Sequence, residues 1–193
     1  MSYKYNANLT WEPFLWYEMR IVADLLKQGL DKKEIKEKVI SENIFQYKTT
    51  KSIPKRLSCI LRRIDSLDQY LLDRLSIWDI DDTKIISLYA IYKDSFLVQD
   101  FINEFIKDKI QLKQADIKDS EIMSFLNSKT REHIEMNDWS ESTMKKIKQV
   151  LKNILIWAWI IESKKIHIPV ISYSLKQYIS DNLDKNFIIS LWF

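Results

Sequence analysis

Apolar residues recur along most of this chain at intervals of three and four, the spacing that gives a helix one buried face. Phe14, Leu15, Tyr17, Ile21, Val22, Leu25 and Leu26 predict a first helix, with Thr10 as its N-cap and Glu12 and Pro13 in its opening turn. Gly29 suits the left-handed residue that closes such a helix. Asp31-Lys-Lys-Glu34 has the spacing of a capping box and predicts a second helix, with Ile35, Val39 and Ile40 inward. After the connector Asn43–Thr50, Ser52 is placed to cap a third helix whose first turn tolerates Pro54. Further helices are predicted from Ser66 to Ile77, Asp82 to Lys93, Ser95 to Leu112 and Lys118 to Glu132. Ser140 or Ser142 then caps a long helix that follows Trp139. Ile161–Lys165 reads as a turn and Ile166–Ser172, rich in β-branched residues, as a strand. A last short helix is predicted over Leu175–Asn182, capped by Ser174, with Phe187–Phe193 covering an apolar surface.

Two of these helices share a pattern. Ser52–Ile64 aligns without gaps on Ser142–Ile154, in the frame Ser-x-x-Lys-[Arg/Lys]-[Leu/Ile]-x-x-[Ile/Val]-Leu-[Arg/Lys]-x-Ile. At about 100° per residue, Leu57, Ile60, Leu61 and Ile64 fall on one side. Ser52, Lys55, Arg56, Cys59, Arg62 and Arg63 fall opposite. In the second copy Ile147, Val150, Leu151 and Ile154 face Ser142, Lys145, Lys146, Gln149 and Lys152 in the same way. Each copy therefore predicts a helix that buries one face and offers cations on the other. A solvated surface is the plain alternative.

Charge distribution sharpens this picture more than net charge does. The formal charge is only +3, but Lys48 to Arg63 holds six cations and no acid. Asp65 to Asp82 then holds six acids and one cation, Arg74, and Lys145 to Lys152 returns to four cations without an acid. Positive potential is thus gathered locally. One glycine and three prolines leave no material for a glycine-rich phosphate loop or a dinucleotide fingerprint. A mainly helical protein follows, divided at 1–78 and 79–193 or forming one continuous body. Cys59 is the single cysteine, so no internal disulfide forms. The opening residues resemble no signal peptide, and the longest apolar run, Ile154–Ile161, is too short to span a bilayer. A cytoplasmic location is expected.

Little here points to catalysis. His133, His167 and Cys59 have no metal-site spacing, and no nucleophile–base arrangement is recognisable. Asp79, Asp81 and Asp82 lack the glycine and distal glutamate of a calcium loop, and fit helix capping better. No enzyme, metal or cofactor is expected. Cations on an exposed helix, by contrast, neutralise phosphates and release counterions. Candidate DNA contacts are Lys48, Thr49, Thr50, Lys51, Ser52, Lys55, Arg56, Arg62 and Arg63 around the first basic helix. Ser140, Ser142, Lys145, Lys146, Gln149 and Lys152 serve the second, with Lys164 and Lys165 on a possible wing. Tyr47 and Trp139 read as packing residues beside them.

Tyr5-Asn-Ala-Asn-Leu-Thr10, Asn43–Arg56 and Trp139–Leu151 together resemble the BrxA family of bacterial BREX (bacteriophage exclusion) defence systems, over essentially the whole chain. The resemblance implies a small, mainly helical, cytoplasmic protein that binds double-stranded DNA. It also implies helix-turn-helix-like elements. Its partners would be a methyltransferase, a large ATPase and a phosphatase-like component. In the residues themselves, helix, connector and basic helix give the order of an N-terminal helix-turn-helix-like element. The strand-like segment behind the second basic helix suggests a C-terminal winged-helix-like element with a small β hairpin. A protein-interaction scaffold without nucleic-acid contact, or an RNA-binding protein, remain the alternative readings.

Overall fold

The structure, a computed structural model, describes residues 4–77, 79–114, 116–163, 165–168, 170–182 and 184–192. It is mainly α-helical and falls into two compact units. One comprises residues 15–94; the other comprises residues 1–14 and 95–193. The divisions lie at 14/15 and 94/95 rather than at 78/79, so the first unit is inserted into the chain of the second.

In the inserted unit, α1 spans Trp16–Lys27 and packs against α2 (Lys32–Ser41), α3 (Ile53–Ile64), α4 (Gln69–Ser76) and α5 (Ile80–Asp94). The expected start of α1 at Thr10 is corrected. Asn6 caps a 3-10 turn, Ala7–Thr10, and Leu15 stands in the left-handed region (φ 54°) immediately before α1. Pro13 disfavours helical backbone at Glu12, which explains the break. Gly29 closes α1 as anticipated: at φ 90° its N–H bonds to the Leu26 carbonyl, and the Leu30 N–H reaches the Leu25 carbonyl. The capping box forms, with Asp31 accepting from the Lys33 and Glu34 amides and Glu34 accepting from Asp31. Asp68 caps α4, and Asp79 caps α5 by accepting from the Asp81 and Asp82 amides. Asp82, fully enclosed, pairs with Arg74 at 2.6 Å. Asp65 at the head of the acidic run pairs with Lys32 at 2.7 Å, so the run serves helix ends and ion pairs. From Asp82 to Tyr92 α5 is buried on every side.

The second unit holds α6 (Phe96–Asp100), a π-helical turn (Phe101–Ile106) and α7 (Lys107–Gln111) in one continuous helical run. Then come α8 (Asp119–Glu132), α9 (Glu141–Trp157), α10 (Tyr173–Asn182) and α11 (Lys185–Trp192). Phe101, Phe105 and Phe125 stack within 6 Å of one another, and α8 lies on α9. Each fully buried Leu or Ile here, such as Ile122, Leu126 and Ile147, contributes about 1.5–3 kcal/mol.

The strand expected over Ile166–Ser172 is corrected. β1 (Ile161–Glu162) pairs antiparallel with β2 (Lys165–Ile166), so the segment read as a turn contains a strand. Ser163 at φ 51° supplies the left-handed residue that glycine would normally give. The His167 amide bonds the Ile160 carbonyl and Asp116 bridges to Lys165, but no strand continues among the described residues from His167 to Ser172. Ser172, not Ser174, caps α10, accepting from the Leu175 amide.

Candidate nucleic-acid interface

The connector between α2 and α3 is a built loop. Asn43 and Gln46 both take left-handed backbone (φ 46° and 54°). The Asn43 carboxamide closes the loop on Tyr47, donating to its carbonyl at 2.9 Å and accepting from its amide at 3.1 Å. The Tyr47 hydroxyl donates to Glu18 on α1 at 2.6 Å. Burial, reinforced by that carboxylate and opposed by Arg56, pushes the phenol up to about 12. Arg56 lies over the same ring, its Cζ 4.6 Å from the centroid. Lys48, Thr49, Thr50 and Lys51 follow, all exposed, and a 3-10 turn over Thr50–Ser52 runs directly into α3. The expected cap is corrected: Ser52 has helical backbone and makes no capping bond. The 3-10 turn leads in instead, the Ile53 N–H bonding the Thr50 carbonyl while Pro54 has no N–H to satisfy. Lys55 is exposed on the opening turn. Lys48 and Lys51 have no carboxylate partner among the described residues.

The far end of α3 departs from expectation. Arg62 grips Asp94 through two bonds, of 2.6 and 2.8 Å. Arg63, expected outward, has no exposed surface, and its Nε lies 3.5 Å from Asp94 Oδ2, which also accepts from Arg62. Cys59 is buried as well. The reason is packing: α3 contacts α1, α2 and α5, so residues flanking its apolar stripe are enclosed. Asp94, closing α5, then supplies the counter-charge that an enclosed guanidinium requires.

On α9 the cations are largely balanced. Ser140 is the cap, accepting from the Thr143 amide at 3.2 Å, and Ser142 bonds the Ser140 hydroxyl. Lys145 pairs with Glu141 at 2.6 Å. Lys148 and Lys152 converge on Asp119 at 2.8 and 2.6 Å, and together hold that carboxyl down at about 2. Gln149 donates to Asn153. Lys146 stays exposed without a carboxylate partner among the described residues, and Lys165 is exposed on β2. Lys164 lies outside the described residues. Trp139 is half-buried.

Comparison with known proteins places the chain. The BrxA family profile matches residues 3–183. A BREX protein BrxA from Bacillus cereus (strain H3081.97) is 32% identical over 179 residues, covering 91% of this chain and 90% of the relative. This chain belongs to the BrxA family. A BREX protein BrxA from Escherichia coli O9:H4 (strain HS) is 22% identical, covering 79% of this chain and 72% of the relative. A crystal structure of an uncharacterized protein from Magnetospirillum magneticum superposes with a TM-score of 0.80 over 97% of each chain. At 20% identity, that likeness concerns fold alone.

The segments that resemble BrxA divide between fold and surface. Tyr5 is structural. Its buried ring stacks on His133 at 3.7 Å, its amide donates to Glu135 at 2.7 Å, and its hydroxyl donates to Asp100. Burial and that carboxylate both raise the phenol's pKa. Nearby, the enclosed Lys129 ammonium meets Glu104 at 2.7 Å and Glu132 at 2.8 Å. His133 is thus committed to packing the N-terminal segment, and His167 is exposed. A cavity of about 290 Å³ beside α1 is lined by Tyr17, Arg20, Asp24 and Ser76 among others. Asp24 there accepts from Gln28, and the Ser76 hydroxyl donates to the Asp73 carbonyl. Among the described residues, no helix is long and apolar enough to cross a membrane.

Proposed function

We propose that this BrxA-family chain is a non-catalytic, double-stranded DNA-binding component of a BREX phage-defence system. The contact is carried by Lys48–Arg56, with Lys146 and Lys165 as lesser contributors. The observation that carries the proposal is an exposed Lys48-Thr-Thr-Lys51 run, without carboxylate partners among the described residues, leading into the N-terminus of α3. Ammonium groups gathered at a helix N-terminus suit a phosphate. Hydroxyls at Thr49 and Thr50 add orientation without base readout. Arg62, Arg63 and Lys152, committed to Asp94 and Asp119, are left out of the contact set. The helix-turn-helix-like and winged-helix-like descriptions belong with this proposal: α2 and α3 frame the loop, and the β1–β2 hairpin follows α9. Binding of a labelled duplex of arbitrary sequence, followed by anisotropy, is expected to weaken about 150- to 500-fold between 50 and 200 mM salt, as four to five phosphate contacts imply. Affinity that is flat over that range, or equal competition by duplex RNA, would contradict it.

A second reading, a docking scaffold for other defence proteins, has one observation in its favour. Ile156, Trp157, Trp159, Ile168, Val170 and Tyr173 are all exposed within a short stretch of chain. Partner proteins retained after nuclease treatment, with no duplex binding, would establish it instead.

A further inference from the structure

We infer that Tyr47 and Glu18 are positioning residues: together they hold the Arg56 guanidinium ready for a planar pair of acceptors on duplex DNA. The inference rests on the duplex-binding reading above and adds which side chain is pre-organised. Arg56 differs from the other arginines of α3. Arg62 and Arg63 face Asp94, whereas Arg56 has no carboxylate partner among the described residues. Its guanidinium instead lies over the Tyr47 ring, with Cζ 4.6 Å from the centroid. Stacking uses the face of the cation, and the remaining in-plane N–H donors stay available for a bidentate acceptor. Tyr47 cannot readily swing away, because the Asn43 carboxamide holds its backbone and Glu18 holds its hydroxyl. Glu18 is itself satisfied by that hydroxyl, so it anchors the platform rather than neutralising the arginine. The acceptors have one chemistry and two sources: the non-bridging oxygens of a phosphate, or the O6 and N7 of guanine.

This arrangement makes a prediction opposite in sign to simple electrostatics. Removing an acid beside a DNA-binding surface should tighten binding, yet loss of the anchor should loosen it. Full-length wild type, Glu18→Gln, Glu18→Ala, Arg56→Ala and the double variant Glu18→Ala/Arg56→Ala are titrated with duplex DNA, with circular dichroism confirming equal helicity. Alanine suits a helical position, so α1 is expected to persist. Glu18→Ala is expected to weaken binding by about three- to tenfold. Glu18→Gln, whose amide oxygen still accepts from Tyr47, should stay near wild type or tighter. In the Arg56→Ala background Glu18→Ala should cause no further loss. Tighter binding by Glu18→Ala, or an equal loss with and without Arg56, would overturn the inference. Absence of wild-type binding would instead overturn the duplex reading on which it rests. An Arg56→Ala loss equal on guanine-containing and A·T-only duplexes, with a salt slope shallower by about 0.9, identifies phosphate as the source; a loss confined to guanine-containing duplexes identifies the base.

Discussion

Asp94→Ala is expected to lower the unfolding free energy by about 3–5 kcal/mol, because it leaves the wholly enclosed Arg63 beside an emptied counter-charge. Arg62, nearly half exposed, would turn to water at little cost. Urea denaturation followed by circular dichroism measures the difference. A loss under about 1 kcal/mol would mean that Asp94 is not what balances Arg63. Replacing Arg63 together with Asp94 by apolar residues of similar volume should recover much of the stability, since a buried pair repays its desolvation poorly. The position has a consequence for function. An arginine that looks available in the sequence is part of the structural frame, and its removal would mimic a binding defect by unfolding the unit.

Tyr5→Ala carries the second large effect. It removes a buried aromatic ring stacked on His133 and the donor to Asp100, for an expected cost of about 3–5 kcal/mol. Tyr5→Phe keeps the ring and should cost about 1–2 kcal/mol, the penalty of leaving Asp100 without that donor. Thermal unfolding of both variants checks the order. The phenol's raised pKa also fixes the sign of an alkaline effect. A group held protonated in the fold contributes stability that is complete below its ordinary value of 10.0 and declines as pH rises beyond it. An alkaline loss of stability that is shallower in Tyr5→Phe is therefore expected. The resemblance of Tyr5–Thr10 to BrxA is accounted for by this clasp on the fold.

Much of the fold was legible because helices announce themselves by periodicity and caps. The Asp31/Glu34 box, the Gly29 terminus, the Ser140 cap and the bounds of α8 all follow from local chemistry. The errors arose where distant parts of the chain decide. Arg63 and Cys59 sit opposite a clean apolar stripe, yet α3 is enclosed on more than one side, and periodicity reports only the most apolar one. The acid-free runs were acid-free only in sequence. Asp94 stands 32 positions from Arg62, and Asp119 stands 33 from Lys152, beyond the reach of any local count of charge. The Tyr47 platform was hidden for the same reason, since its anchor Glu18 belongs to a different helix. Of the candidate surface around α3, Lys48, Thr49, Thr50, Lys51 and Lys55 are exposed, with Arg56 partly buried beside them.

The most direct measurement of the account is the slope of log affinity against log salt for duplex binding by wild type and two folded variants. Lys48→Ala/Lys51→Ala/Lys55→Ala/Arg56→Ala should flatten the slope by about 3.6 units, at roughly 0.9 per phosphate contact. Lys145→Ala/Lys146→Ala/Lys152→Ala, from which only Lys146 is unpaired, should flatten it by about one. A slope unchanged by the first variant, or flattened equally by the second, would contradict the assignment of the DNA contact to the α2–α3 loop.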